Sequence, residues 1–181
     1  MNIFRAARNM MKQRPLVSNM LSFGGMYVAA EFSQQTIILH LDKSDKGYNW
    51  PAIGRYVVMG TFLYSPLLYY WYRYLDGVLP SKAIKVAIKK TLIDQAVSSS
   101  ILLVVFYVGM SIMERKEDIF EEVKQKWLPS YKLSCCFWLP TQAINFFLVP
   151  AYLRVVFVGS ASFVWVNVLC ILKRMQMKKE A

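Results

Sequence analysis

The apolar stretch formed by residues 138–154, WLPTQAINFFLVPAYLR, constrains the fold more than any other part of the chain. Gln142 and Asn145 follow Trp138 by four and seven residues, so a helix places the three side chains on one face. Two prolines lie near the ends of the run, and each removes a backbone hydrogen-bond donor that lipid cannot replace. The stretch therefore predicts an inner wall of a helix bundle.

The composition places the chain among membrane proteins. Hydrophobic residues make up 56% of its 181 residues and the mean hydropathy is +0.31, which is too apolar for an ordinary soluble domain. The 22 lysines and arginines outnumber the 11 acids and occur in short blocks between apolar runs, as in loops sorted by the positive-inside rule. No zinc-ligand spacing, helix-turn-helix or RNA-binding aromatic motif accompanies this charge, so nucleic acid is not an expected partner.

Apolar runs of membrane-spanning length predict an all-α, integral membrane helix bundle. Three candidate spans cover residues 16–39, 52–75 and 91–113, and each exceeds the roughly 20 residues that cross about 30 Å of hydrocarbon. Residues 133–172 are long enough for two further passes. The distribution of basic residues favours one net crossing there, with the stretch from residue 138 partly re-entrant. We therefore expect about four net crossings, with both termini on the same, more basic side.

The remaining segments flank or connect these spans within a single membrane domain, residues 16–172. Residues 1–15 predict a basic amphipathic segment on an anionic membrane face, and residues 173–181 predict a basic C-terminal tail. Residues 114–128 place apolar and charged side chains on opposite sides of a helix. This pattern predicts an amphipathic helix on the membrane surface, with a solvated connector as the alternative.

Polar side chains interrupt the apolar runs at helical spacing. A carboxylate at mid-membrane costs about 2.5 to 3.5 kcal/mol on insertion scales, so these groups should face the bundle interior, water or one another. They are candidates to line a pore, although the same groups could instead hydrogen-bond each other and hold the helices together. The candidates are Glu31, Gln35, Asp94, Gln95, Gln142, Asn145 and Arg154.

The sequence offers no catalytic or metal site. It contains no HExxH, GxSxG or glycine-rich phosphate loop, and the single histidine, His40, lies at the end of an apolar run, where an interfacial role is expected. Cys135, Cys136 and Cys170 lack CxxC spacing and lie in apolar segments, so we expect reduced, packed thiols. We expect no enzymatic activity, no metal ion and no cofactor.

The C-terminal part of the chain carries a motif of nine placed residues. It reads W-x-P-x-Q-x-x-N-F-x-x-V-P-x-x-x-R followed by a tryptophan, and its members are Trp138, Pro140, Gln142, Asn145, Phe146, Val149, Pro150, Arg154 and Trp165. In this motif the chain resembles the Mpv-seventeen family of small multi-span proteins of mitochondrial and peroxisomal membranes. Upstream matches extend the resemblance over nearly the whole chain, and they include the Trp71-Tyr72 pair, Lys90 and the Asp94-Gln95 pair.

The resemblance implies a channel-like protein of the mitochondrial inner membrane or the peroxisomal membrane. It also implies a link to reactive-oxygen-species metabolism, mitochondrial homeostasis and maintenance of mitochondrial DNA. Two hypotheses follow. In the first, the chain is a weakly selective conduit for small solutes, alone or as a homo-oligomer, in a bilayer that contains anionic lipids. In the second, it is a non-transporting adaptor that recruits partners through residues 114–128.

Overall fold

The computed structural model describes the backbone of residues 13–42, 47–81 and 83–180 and the side chains of residues 13–40, 47–81 and 83–167. Within these ranges the chain is helical and contains no strand, which confirms the all-α prediction. The helices are α1 (Pro15–Asp42), α2 (Trp50–Val58), α3 (Ser65–Val78), α4 (Ile84–Ile93), α5 (Ser100–Met113), α6 (Glu121–Leu148) and α7 (Arg154–Glu180). π-Helical segments at Met59–Tyr64 and Asp94–Ser99 join α2 to α3 and α4 to α5, and a 3-10 turn, Ala151–Leu153, precedes α7.

One helical run among the described residues is long and apolar enough to cross a membrane. It combines α4, the second π segment and α5, and its 30 residues, Ile84–Met113, extend over about 45 Å at 1.5 Å per residue. A shorter apolar helix covers Ala151–Asn167. One crossing therefore has structural support, and the other expected crossings stay a prediction.

Both π segments lie where the α-helical hydrogen-bond pattern is interrupted. After the first segment, Ser65 donates its N–H to the carbonyl of Gly60, five residues earlier, and Pro66 follows with no N–H to donate. The wider π-helical turn accommodates the hydrogen bond that Pro66 cannot donate, so the helix continues past the proline. The second segment contains Asp94, Gln95 and Ser98, which are all buried. A local widening of the helix thus coincides with the polar side chains that face inward.

A Schellman motif ends α5 at the start of the charged loop. The N–H of Arg115 donates to the carbonyl of Ile112 at 3.1 Å, and the N–H of Lys116 donates to that of Ser111 at 3.0 Å. Arg115 has a φ of 57°, the left-handed conformation that glycine usually supplies at this position. The motif satisfies carbonyls at the end of the helix and turns the chain away from its axis.

The expected surface helix over residues 114–128 is wrong in its bounds. Residues 114–120 are turns and bends, and the next helix begins at Glu121 and continues without a break to Leu148. The next helix begins late because the Schellman motif at the end of α5 turns the chain away from the α5 axis. Residues 121–128 of the charged segment and the apolar stretch up to Leu148 are therefore parts of one helix, α6.

Helix α6 ends because of Pro150. Val149, the residue before this proline, is extended, with φ −88° and ψ 125°, as steric contact with the proline ring favours. The exposed Pro129 and Pro140 lie inside α6 without ending it. The apolar region 133–172 is therefore divided into two helices at residues 149–150.

The chain divides into two compact units. The central unit is Pro66–Arg154, and the terminal unit is formed by α1, α2, the first π segment and α7. The predicted boundaries at residues 15 and 173 stay a prediction, because residues 1–12 and the side chains of residues 168–181 lie outside the described part of the chain.

Close contacts at glycines join the helices of the terminal unit. A Cβ atom placed on Gly60 would lie 2.9 Å from the Cβ of Tyr27, and one on Gly159 would lie 3.1 Å from the Cδ2 of Phe23. The rings of Phe23 and Tyr27 stack with 5.1 Å between their centroids. These contacts pack α1 against both the first π segment and α7.

Candidate functional site

The central unit buries a carboxylate at the second π segment. Asp94 is 1% exposed, and its Oδ1 accepts a hydrogen bond of 2.7 Å from the Nε1 of Trp71 on α3. Ser98 and Gln142 also approach this carboxylate. A buried carboxylate is retained only with such donors, and Asp94 therefore joins three helical segments in the core of the unit.

A chain of amide and hydroxyl groups continues from α3 to α6. The Nε2 of Gln142 donates to the hydroxyl of Tyr72 at 2.8 Å, and the Nδ2 of Asn145 donates to the Oε1 of Gln142 at 2.8 Å. Both amides are buried, and Asn145 is fully so. The ring of Tyr72 packs edge-on against Phe146 with 5.5 Å between centroids. The predicted polar face of α6 thus lies against α3.

Gln95 makes a second link from the π segment to α6. Its Nε2 lies 3.2 Å from the Oγ of Ser134 and 3.3 Å from the Sγ of Cys135, and its Oε1 accepts a hydrogen bond from Ser99. The hydroxyl of Tyr131 donates to the backbone carbonyl of Gln95. Asp94 and Gln95 are neighbours in sequence, yet Asp94 bonds to α3 and approaches Gln142, whereas Gln95 contacts an earlier part of α6, because their side chains diverge around the helix axis.

Three charged side chains form an ion cluster, defined here as Asp76, Lys90 and Arg154. The Nη1 of Arg154 lies 2.5 and 2.6 Å from the two carboxylate oxygens of Asp76, and the Nζ of Lys90 lies 2.5 Å from Oδ1. The side chains of Lys90 and Arg154 are 4% and 7% exposed, and that of Asp76 is 28% exposed. Two nearly buried cations thus share one partly buried anion.

Arg154 also satisfies the broken end of α6. In a continuous helix, residue 150 would donate its N–H to the carbonyl of Phe146, and Pro150 cannot. The Nη2 of Arg154 donates to that carbonyl at 3.4 Å, and its Nε donates to the carbonyl of Val149 at 3.3 Å. The guanidinium group lies 5.3 Å from the ring of Phe146. The spacing P-x-x-x-R therefore pairs a missing donor with a side chain that replaces it.

Glu31 and Gln35 lie in the terminal unit and have a different setting. The Nε2 of Gln35 donates to the Oε1 of Glu31 at 2.8 Å, while its Oε1 accepts a hydrogen bond of 2.7 Å from the N–H of Asn49. Asn49 in turn caps α2 by accepting from the N–H of Ala52. Glu31 is buried and Gln35 is partly exposed. These two residues join α1 to the start of α2.

Six of the seven predicted polar residues are therefore buried, and five of them meet in the central unit. Sequence reasoning missed three of their partners, Asp76, Lys90 and Trp71. A signal was present, because Lys90 and Trp71 match the family pattern outside its C-terminal motif. Asp76 lies within α3, which continues to Val78 although Gly77 and Pro80 are residue types that commonly end a helix.

No cluster of histidine, cysteine and acidic side chains in the described part of the chain could hold a metal ion. The central unit does contain an open groove of about 280 Å³ between α3 and α5. Its walls are apolar and aromatic apart from one serine, and the lining residues are Leu67, Tyr70, Trp71, Tyr74, Ser98, Ile101 and Leu102.

Comparisons with known proteins give a consistent result. Residues 111–170 match the Mpv17 / PMP22 family. PXMP2/4 family protein 4 of Dictyostelium discoideum is 33% identical over 153 residues, covering 83% of this chain and 82% of that protein. The Mpv17-like protein of Bos taurus is 31% identical over 156 residues, covering 86% and 76%, and Protein SYM1 of Saccharomyces cerevisiae is 26% identical over 177 residues, covering 94% and 89%. No solved structure matches the chain significantly.

Proposed function

The chain belongs to the Mpv17 / PMP22 family, whose members are membrane proteins, and from this premise we propose that it is a weakly selective conduit for small solutes in an organelle membrane. The observation that carries the proposal is the set of ionisable side chains inside the apolar central unit: Asp76, Lys90, Asp94 and Arg154. Charged groups within membrane segments are costly, and they commonly mark the paths of ions and solutes.

The described conformation corresponds to a closed conduit. The ion cluster ties α3 to α4 and to the end of α6, and Asp94 ties the second π segment to Trp71. Passage of a solute would exchange these contacts for contacts with water and solute. The π segment supplies a helix that can change its hydrogen-bond pattern locally, as π-bulges at functional sites do.

The membrane arrangement that we propose has about four crossings, and Ile84–Met113 is the one helical run in the described part of the chain with suitable length and hydropathy. The others are assigned to α1, to α2 with α3, and to the apolar region 133–172. The membrane is the mitochondrial inner membrane or the peroxisomal membrane, and residues 1–15 lie on a face that contains anionic lipids. Because few helices enclose any path, several copies assemble around it.

Such a conduit would act on reactive-oxygen-species metabolism and mitochondrial homeostasis through the solutes that it passes. Maintenance of mitochondrial DNA would follow in the same way, from the supply of small precursors across the membrane. No enzymatic step is part of this proposal.

Planar-bilayer recordings of the purified protein test it. We expect a measurable conductance whose open probability or ion selectivity changes in Asp94→Asn, because this variant removes the buried negative charge and keeps the size of the side chain. Asp118→Asn is the matched control, since Asp118 lies in the exposed loop and pairs with Lys124. Silent bilayers with folded wild-type protein would overturn the proposal, as would identical recordings from wild type and Asp94→Asn.

The second candidate function is a membrane adaptor without transport. The observation that favours it is a set of exposed ion pairs at the start of α6, in which Lys116 bridges Glu114 and Glu122, and Lys126 also pairs with Glu122. This segment is an ordered charged surface for a partner protein. Replacing Glu117, Asp118 and Glu121 by their amides tests it. A cellular phenotype lost while conductance persists would favour the adaptor.

A further inference from the structure

We propose that the groove between α3 and α5 binds an acyl chain of an anionic phospholipid whose headgroup is held by Arg73, Lys85 and Lys89. This inference goes beyond the proposed conduit, because it requires only that the central unit lies in a bilayer. It assigns a ligand to a surface that borders the polar core through Trp71 and Ser98 but contains no residue of the C-terminal motif.

The groove has the size and chemistry of a site for one chain. Its volume of about 280 Å³ is close to the lower end of ligand pockets, about 300 to 1,000 Å³. Ile101 and Leu67 are half exposed along the walls, and the rings of Tyr70 and Tyr74 are about 60% exposed. A flexible, narrow and apolar occupant fits these walls.

A hydrogen bond holds one of the lining residues, Trp71, in place. Trp71 lines the groove and bonds to Asp94, and Ser98 belongs to the same π segment as Asp94. The rings of Trp71 and Tyr74 stack with 6.1 Å between centroids. A lining side chain that is already held in place loses less entropy on binding than a mobile one, which favours a retained lipid over a passing one.

Contacts between α3 and the helical run formed by α4, the second π segment and α5 show which end of the groove is basic. Asp76 pairs with Lys90, and Trp71 bonds to Asp94, so the two helices run antiparallel. The groove extends from this end towards Leu67 and Leu102. Arg73 precedes Asp76 by three residues, and Lys89 adjoins Lys90, so both lie near the same end.

The distance between the basic residues and the groove matches the length of one lipid acyl chain. Lys89 and Ser98 are nine residues apart, or about 14 Å along a helix, and one leaflet provides about 15 Å of hydrocarbon. A headgroup at the level of Lys89 therefore places the end of its acyl chain beside Ser98, which lines the groove. Long basic side chains reach the headgroup region by snorkelling.

The charges favour an anionic lipid over a zwitterionic one. Arg73, Lys85 and Lys89 are exposed, and among the described residues no carboxylate forms a salt bridge with any of the three, whereas the neighbouring Lys90 is paired with Asp76. Basic side chains near a membrane surface each favour anionic lipid about five-fold. Free phosphate would satisfy these cations but would leave the groove empty.

Photo-crosslinking of the full-length protein in vesicles tests the proposal. The probes are phosphatidylglycerol and phosphatidylcholine with the same diazirine-bearing acyl chain, each present at a low fraction in otherwise phosphatidylcholine vesicles. Peptide mapping then measures labelling of residues 67–74 and 98–102. We expect phosphatidylglycerol to label these peptides at least five-fold more than phosphatidylcholine.

Two variants separate the headgroup site from the groove. Lys85→Gln with Lys89→Gln should reduce the preference for phosphatidylglycerol at least five-fold, while Lys126→Gln with Lys132→Gln, which removes equal charge elsewhere on the central unit, should leave it unchanged. Ile101→Trp should fill the groove and abolish labelling by both probes. Equal labelling of wild type by the two lipids would show a non-selective lipid boundary and would overturn the proposal. An unchanged preference in the Lys85 and Lys89 variant would also overturn it.

Discussion

At the scale of single residues, Arg154 contacts a carboxylate, two backbone carbonyls and an aromatic ring in the central unit. It pairs with Asp76, donates to the carbonyls of Phe146 and Val149, and lies over the ring of Phe146. A guanidinium group can do this because its donors point in several fixed directions from one plane. A lysine at the same position would carry the charge without this geometry.

The first prediction concerns Arg154→Lys. The ammonium group cannot reach both Asp76 and the carbonyls at the end of α6, so at least one buried acceptor loses its partner at a cost of about 1 to 3 kcal/mol. We expect the free energy of unfolding in detergent to fall by about this amount. Arg73→Lys is the control, because Arg73 is exposed and makes one hydrogen bond, 3.4 Å long, to Tyr69. Equal stability of the two variants would contradict the role given to Arg154.

Residue types and spacing indicate which side chains lie inside, but they do not identify the partners. The cost of polar groups in lipid accounts for the buried positions of Asp94, Gln142 and Arg154. Their partners depend on how α3 and α4 are aligned, and no local pattern encodes this alignment. The partner of Arg154 is Asp76, near the end of α3, which is not one of the candidate residues that the sequence indicated.

At the scale of elements, the π segments are the least regular parts of the fold. Gly60 in the first segment lies against α1, where a Cβ atom would be 2.9 Å from the Cβ of Tyr27 and 3.3 Å from the Cα of Gly24. One of these atoms is the Cβ of Tyr27 and the other is a backbone Cα. Neither atom can move aside unless the whole helix shifts. Contacts of this kind let two helices approach closely.

Gly60→Ala should therefore destabilise the protein by about 1 to 3 kcal/mol, the usual cost of overpacking. Gly25→Ala is the matched control, since no atom lies within 4 Å of a Cβ at Gly25. This control should be neutral or stabilising by about 0.5 to 1 kcal/mol, the gain of alanine over glycine in a helix. The measurement is thermal or denaturant unfolding in detergent, and a loss of stability in Gly25→Ala but not in Gly60→Ala would refute the packing argument.

The first turns of α6 permit a prediction of pH dependence outside the apolar segments. A hydrogen bond from Lys126, with 2.5 Å between Nζ and Oε1, holds the pKa of Glu122 below its usual 4.5, and a weaker contact with Lys116 acts in the same direction. Because the pKa in the folded state is lowered, the stability from these pairs is present above pH 4.5. It is lost as the pH falls through the lowered pKa.

Carboxyl ¹³C NMR of glutamate-labelled protein in detergent measures this pKa. We expect the midpoint of Glu122 to lie below 4.5 and to rise towards that value in Lys126→Gln. Lys124→Gln should leave the midpoint unchanged, because Lys124 pairs with Asp118 instead. A midpoint of 4.5 or above in the wild type would show that these ion pairs do not persist in solution.

The bounds of α6 show why elements were only partly predictable. The amphipathic pattern of residues 114–128 is real, yet residues 114–120 form turns because Arg115 adopts a left-handed conformation that its residue type does not signal. The end of α6 was easier to anticipate, because proline removes a donor and restricts the residue before it wherever it occurs.

At the scale of the whole molecule, family membership rests on similarity over most of the chain, whereas the number of crossings does not follow from the helices alone. The relatives cover 83 to 94% of this sequence, and one helical run in the described part has the length and hydropathy of a span. Polar residues lower the mean hydropathy of the other helices. Such residues are compatible with a helix bundle in a membrane when they face the neighbouring helices.

The central claim is that the charged and amide side chains of the central unit satisfy one another. A double-mutant cycle between Asp76→Asn and Arg154→Met, made in a Lys90→Met background so that no third charge remains, tests it most directly by unfolding in detergent. Each single change leaves one buried charge unpaired and should cost about 3 to 5 kcal/mol. The account predicts that the double change costs no more than the larger single one, a coupling of at least about 3 kcal/mol, whereas costs that add within about 0.5 kcal/mol would contradict it.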